Sequence, residues 1–137
     1  DYFQTLRVRS VRGRLLTPAE SRQTVAVVSF RFWQRELDGS DDVLGRSLVL
    51  DRTPYVVIGV AEQGFSGTAG PIDVWLPLEA AKTAQHKVAD LTEENYAWLE
   101  VIGRLTLGAS IGTAIAESPL MANQFDRDNH RHARPDA

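Results

Sequence analysis

The spacing of apolar and polar residues changes character several times between Val25 and Val60, and each change predicts an element. Val25 to Val28 are consecutive and apolar, mostly β-branched, as in a strand buried on both faces. Ser29 is a helix cap, and Phe30, Trp33 and Leu37 then fall on one stripe at helical spacing. That predicts a helix over 30–37, with Phe32 off the stripe and needing a second contact. Asp38-Gly39-Ser40 ends it, with Gly39 available for a left-handed cap. Ser47–Leu50 and Pro54–Ala61 read as two strands of a hairpin joined by Asp51-Arg52-Thr53. The connection lacks Asn-Gly or Asp-Gly, which predicts a three-residue loop. Val56, Val57, Ile58 and Val60 are nearly continuous, so the second strand is central.

The flanks are less regular. Asp1–Leu6 suits one helical turn with Tyr2, Phe3 and Leu6 on its apolar side. Arg7, Arg9, Arg12 and Arg14 alternate with Val8 and Val11, as on a strand with one basic face, and Gly13 interrupts it as a bulge would. Thr17-Pro18-Ala19-Glu20 has the pattern of a capping box. Gln63–Pro71 is a Gly-rich loop in which Phe65 is the one large anchor. Asp73–Leu78 and Trp98–Leu105 read as strands, and Glu79–Lys87 as a short helix. Ser110 caps a helix over 111–117 that Pro119 stops or restarts, and a polar tail follows. The predicted core draws on Val27, Phe30, Trp33, Leu37, Leu48, Val57, Ile58 and Trp75.

Composition narrows the class. With 137 residues, 43% of them hydrophobic, the chain can bury one sizeable core. The net charge of −3 makes no case for nucleic acid. Residues 1–60 carry nine Arg and seven acids, whereas residues 61–137 carry six Lys/Arg and eleven acids. There is no cysteine, so neither a disulfide nor a thiolate metal site exists. No apolar run reaches the roughly 18–20 residues of a membrane span. The chain starts at Asp1, as an excised piece would.

Candidate chemistry is sparse. The Arg set from Arg7 to Arg14 could meet an anionic surface, but a solvated strand face explains it more simply. Asp41 and Asp42 lack further oxygen ligands at turn spacing and fit the N-capping of a short Asp42–Leu44 helical turn. Gly64, Gly67 and Gly70 miss the spacing of a phosphate-binding loop, and no Lys-Ser/Thr follows. Trp33 could stack on a ligand, but its place on the stripe favours the core. His86 is isolated. His130 and His132 could chelate a metal on a strand, but they sit in the polar tail. No set of nucleophile, base and orienting group emerges, and no cofactor or metal is expected.

The ordered pieces resemble a known family. They are Tyr2-Phe3 with Leu6 and Val8, Gly13-Arg14, Val25–Ser29, Phe32-Trp33-Gln34-Arg35, and Val43-Leu44-Gly45-Arg46. They continue with Pro54–Ala61, Gly64-Phe65, Asp73–Leu78, Val101–Leu105 and Gly108-Ala109-Ser110. Each is weak alone. Together they are similar to the periplasmic core domain of MacB-type ABC transporter permeases, within the MacB/FtsX superfamily, with acidobacterial-type permeases the nearest variety. The resemblance implies an α+β fold, a mixed sheet with short helices. It places a partial porter-like βαβ module at 1–24 and 72–117 and a sabre-like insert at 25–71, with a poorly ordered polar tail at 118–137. It also implies a non-enzymatic domain held outside the membrane of a permease. Its partners would be the transmembrane helices of the same permease, a separate ATPase and a periplasmic adaptor. The family's domain begins before the Tyr-Phe motif, so the sheet is expected to have an open edge that could form a homodimer.

Two other readings compete. A small enzyme could use Asp73 or Glu62 as base beside the Gly-rich loop. A stand-alone module could bind an envelope protein or polymer.

Overall fold

A computed structural model describes residues 1–80 and 102–130. Its first unit, Asp1–Ile102, holds β1 (Ser10–Gly13), β2 (Val25–Val28), β3 (Ser47–Leu50), β4 (Thr53–Ala61) and β5 (Val74–Trp75) in one sheet. Two helices, α1 (Tyr2–Leu6) and α2 (Phe30–Glu36), accompany them. The fold is a mixed α+β sheet with short helices, as the sequence predicts.

β4 is the central strand. β2 runs parallel to it on one edge, and β5 closes the sheet antiparallel to β2. The opposite edge of β4 is shared: β3 pairs with its first half and β1 with its second, both antiparallel. Strands from the predicted pieces 1–24, 25–71 and 72–117 therefore all lie in this one sheet.

Successive strand residues point to opposite faces, so the sheet buries apolar clusters on both. On one face Val28, Trp33, Val43, Val57 and Val60 are buried, with Phe30, Phe32, Leu37 and Leu48 packed around them. On the other, Phe3, Val27, Ala61 and Trp75 are buried beside Ile58 and Phe65. Of the predicted core, Val27, Trp33, Val57 and Trp75 are buried, while Phe30, Leu37, Leu48 and Ile58 are half-buried against them. Tyr55 escaped the prediction but is fully buried, its hydroxyl donating to the Ala80 carbonyl at 3.2 Å.

Local signals act as expected at several points. The Thr17–Glu20 capping box forms at both ends, around a 3₁₀ turn. The Ser29 hydroxyl accepts from the Phe32 N–H at 3.0 Å and starts α2. Trp33 donates its indole N–H to the Ser40 carbonyl at 2.9 Å, which pins the helix end to the following turn.

Five expectations need correction. The β3–β4 connection is a two-residue turn, because Leu50 pairs with Thr53. Asp51 and Arg52 both take positive φ, 50° and 67°, the combination whose twist matches the strands it joins. The turn at Asp41–Val43 is capped by Ser40, whose hydroxyl accepts from the Asp42 N–H, and not by an aspartate. The strand expected over 73–78 shrinks to Val74–Trp75, since Pro77 has no N–H for a ladder. The predicted tail is helical as far as His130: in the second unit, Gly103–Ala137, α3 runs Ile111–His130 straight through Pro119. Its Ala, Leu, Met and Gln are good helix formers, and the Ser118 hydroxyl donates to the Ala114 carbonyl at 2.7 Å one residue before the proline. Ser110 caps this helix, accepting from the Thr113 N–H at 3.1 Å. Of the strand expected over 98–105, residues 102–105 are not in a strand and the rest lies outside the described residues. Most of the helix expected over 79–87 lies outside them too.

Candidate functional site

The candidate site is a cleft of about 560 Å³ between α2 and the loop of residues 62–72. Its apolar wall is Phe30, Phe65 and Ile72, and its polar wall is Arg31, Gln34 and Arg35. Local sequence sets up both sides. The α2 stripe turns Trp33 to the core, which leaves Arg31 and Arg35, four residues apart, on the outer face. The glycines let the loop fold back, with Gly64, Gly67 and Gly70 all at positive φ. Phe65 stacks on Trp75 with ring centroids 5.4 Å apart and lies 6.2 Å from Phe3. Phe65 is thus a tucked anchor for the loop.

The two carboxylates considered as bases are both occupied. Asp73 accepts from Arg31 at 2.9 Å and from Arg35 at 3.2 Å, so α2 is clamped to the start of β5. The Arg31 hydrogen bond, helped by Arg35, holds the Asp73 carboxyl below its ordinary value. Such a group is a firm anion at neutral pH and a poor proton acceptor, the opposite of what a general base needs. Glu62 accepts from the Arg9 backbone N–H at 3.0 Å and from its guanidinium at 3.4 Å. The cleft therefore offers apolar contact edged by amides and paired charges.

The remaining candidates are structural or scattered. Most of the basic stretch is spent in pairs: Arg9 bonds Glu62, Arg12 bonds Asp41 at 2.7 Å and lies 5.6 Å from the Trp33 ring centroid, and Arg14 bonds Glu20. Glu20 is buried, and the Thr17 hydroxyl and backbone N–H hold its carboxyl below the ordinary value. Asp41 is paired with Arg12, and no metal-binding cluster exists among the described residues. His86 and His132 lie outside the described residues.

Sequence reasoning missed the Asp73 clamp, although Arg31 and Arg35 at helical spacing and a lone acid before Val74-Trp75 were its visible signal. The ring cluster of Tyr2, Phe3, Phe65 and Trp75 carried no such signal, because its members come from three distant segments.

The mixed sheet with its short helices is the fold of a transporter's periplasmic region. The periplasmic region of MacB from Actinobacillus actinomycetemcomitans superposes with a TM-score of 0.60 at 18% identity. The match covers 90% of this chain and 52% of that one, so the chain spans about half the length of that structure. The profile of the MacB-like periplasmic core domain matches residues 1–118, and the chain belongs to that family, a family of ABC transporter permease domains. No curated protein matches it.

Proposed function

We propose that this chain is the part of an ABC transporter permease that works outside the membrane, passing ATP-driven motion to a substrate or partner protein and doing no covalent chemistry. The observation that carries this reading is the family match across residues 1–118. The geometry supports it, because both candidate bases are tied up in ion pairs and the cleft presents only a contact surface. In this reading the transmembrane helices belong to the same permease, the ATPase is a separate subunit or domain, and an adaptor meets the domain in the periplasm. The core packed on both faces of the sheet and the Asp73 clamp tie α2 to the sheet, as a force-bearing part requires. Residues 1–24, 25–71 and 72–117 all contribute strands to that sheet, along which the force would pass.

The test is reconstitution of the full permease with its ATPase, with and without this domain. Loss of transport or of partner response with ATP hydrolysis retained is the expected outcome. Unchanged transport without the domain would sink the reading, and so would turnover of a substrate by the isolated domain.

A further inference from the structure

The wall of the cleft formed by residues 62–72 is not self-supporting. Gly64, Gly67 and Gly70 all take positive φ, so the loop has little stiffness of its own. Within it the Phe65 N–H donates to the Glu62 carbonyl at 3.2 Å and the Ile72 N–H to the Ser66 carbonyl at 2.7 Å. Its position comes from the N-terminal segment behind it. The Phe65 ring lies 6.2 Å from Phe3 and 6.3 Å from Tyr2, both on α1. The Tyr2 hydroxyl shares a hydrogen bond with that of Thr68 at 3.4 Å. The first residue of the loop is tied to the residue before β1. The Glu62 N–H donates to the Arg9 carbonyl at 2.9 Å, and the Arg9 N–H donates to the Glu62 carboxylate at 3.0 Å.

α1 is held by little besides these rings. Its five residues fall below the roughly 12–15 that an isolated helix needs, and it joins no strand ladder. Arg7 ends it in the left-handed region, at φ 57°, which an arginine seldom adopts. Phe3 meets the Trp75 ring at 5.5 Å, and Phe65 stacks on the same ring at 5.4 Å. Trp75 is therefore covered jointly by α1 and by the loop. Its indole N–H is buried there and donates to nothing. An unmade hydrogen bond at a buried donor works against the closed packing, and water relieves it.

We propose that α1 and the loop of residues 62–72 are one latch over Trp75. They lift together while the sheet stays folded. Lifting takes Phe65 out of the cleft wall, frees the Ile72 N–H from Ser66 and lets water reach the indole N–H. A displacement of the N-terminal segment is thereby felt in the cleft. The unsatisfied donor and the short helix set this opening below global unfolding in free energy. The coupling holds whatever meets the cleft, so it stands apart from the permease assignment.

Hydrogen exchange in the full chain, followed by NMR, tests it. The Ile72 N–H reports the loop, and the Val8 N–H, which donates to the Phe3 carbonyl at 3.0 Å, reports α1. The Trp75 indole N–H reports the ring beneath them. The Val57 N–H, which donates to the Arg46 carbonyl at 2.9 Å, reports the sheet. The first three groups share one opening constant, larger than that at Val57. Tyr2→Ala raises all three about tenfold, the loss of an aromatic contact, with Val57 unchanged. Phe65→Ala acts from the other end of the latch and raises exchange at Val8 as much as at Ile72. Where a variant loosens the whole fold, the three are read relative to Val57. Opening of the three groups only together with Val57 would overturn the proposal, since unfolding of the sheet then uncovers Trp75. So would an Ile72 rate untouched by Tyr2→Ala, a Val8 rate untouched by Phe65→Ala, or an indole N–H that opens independently of the two amides.

Discussion

Gly13 and Gly59 face each other across β1 and β4, and neither has room for a side chain. A Cβ on Gly59 would strike the Arg14 carbonyl, and one on Gly13 would strike the Ile58 carbonyl. At this point the edge of β4 passes from β3 to β1, and the two backbones close the gap through Arg14 N–H donating to the Ile58 carbonyl at 3.0 Å. Gly59→Ala should therefore destabilise the domain by about 1–3 kcal/mol, the cost of overpacking a close approach. Urea unfolding measures it, and an unchanged midpoint would show that the strands can separate at no cost.

Trp33 does two jobs that substitution separates. Its ring fills one face of the core and its N–H holds the Ser40 carbonyl. Trp33→Ala should cost roughly 3–5 kcal/mol. Trp33→Phe keeps most of the burial and loses the hydrogen bond, for about 1 kcal/mol plus a smaller packing loss. Equal losses in the two variants would place the stability in the hydrogen bond and not in the ring.

Acid should weaken the fold through two carboxylates. Asp73 and Glu20 are both held below their ordinary values of 3.8 and 4.5, by Arg31 and by Thr17 respectively. The unfolded chain takes up these protons first as pH falls, so stability drops below those values and is fully present above them. Asp73→Asn should lower stability at neutral pH and flatten the acid slope. A slope unchanged in that variant would show that the Arg31–Asp73–Arg35 clamp contributes nothing to folding.

The β3–β4 turn offers a gain. Asp51 and Arg52 carry positive φ without being glycine, a conformation costing an ordinary residue such as arginine roughly 1–2 kcal/mol. Replacing the pair by Asn-Gly should raise the melting temperature, with a net gain of about 1 kcal/mol after the extra chain entropy of glycine. A lower melting temperature would mean that the side chains of Asp51 and Arg52 support the turn.

Much of this fold was legible before any coordinates, because its signals are local. The apolar run Val25–Val28, the Ser29 cap, the Trp33 stripe, the Thr17–Glu20 box and the central strand ending at Ala61 depend only on neighbours a few residues away. Each formed as its spacing predicts. The order of short motifs along the chain also carried the family.

What tertiary structure alone decided was which distant groups meet. Nothing near Asp73 in sequence says that Arg31 and Arg35 hold it, and that pairing turned a candidate base into a clamp. Nothing near Tyr55 shows that it is fully buried against Ala26 and Ala80, since its neighbours Pro54 and Val56 are exposed. The Asp51–Arg52 turn resisted sequence reasoning for the same reason: strand twist and register set its length against the preference of its own residues. Local propensity is fixed by the chain. Pairing between segments is a property of the packed sheet, and only there do charge and burial acquire their partners.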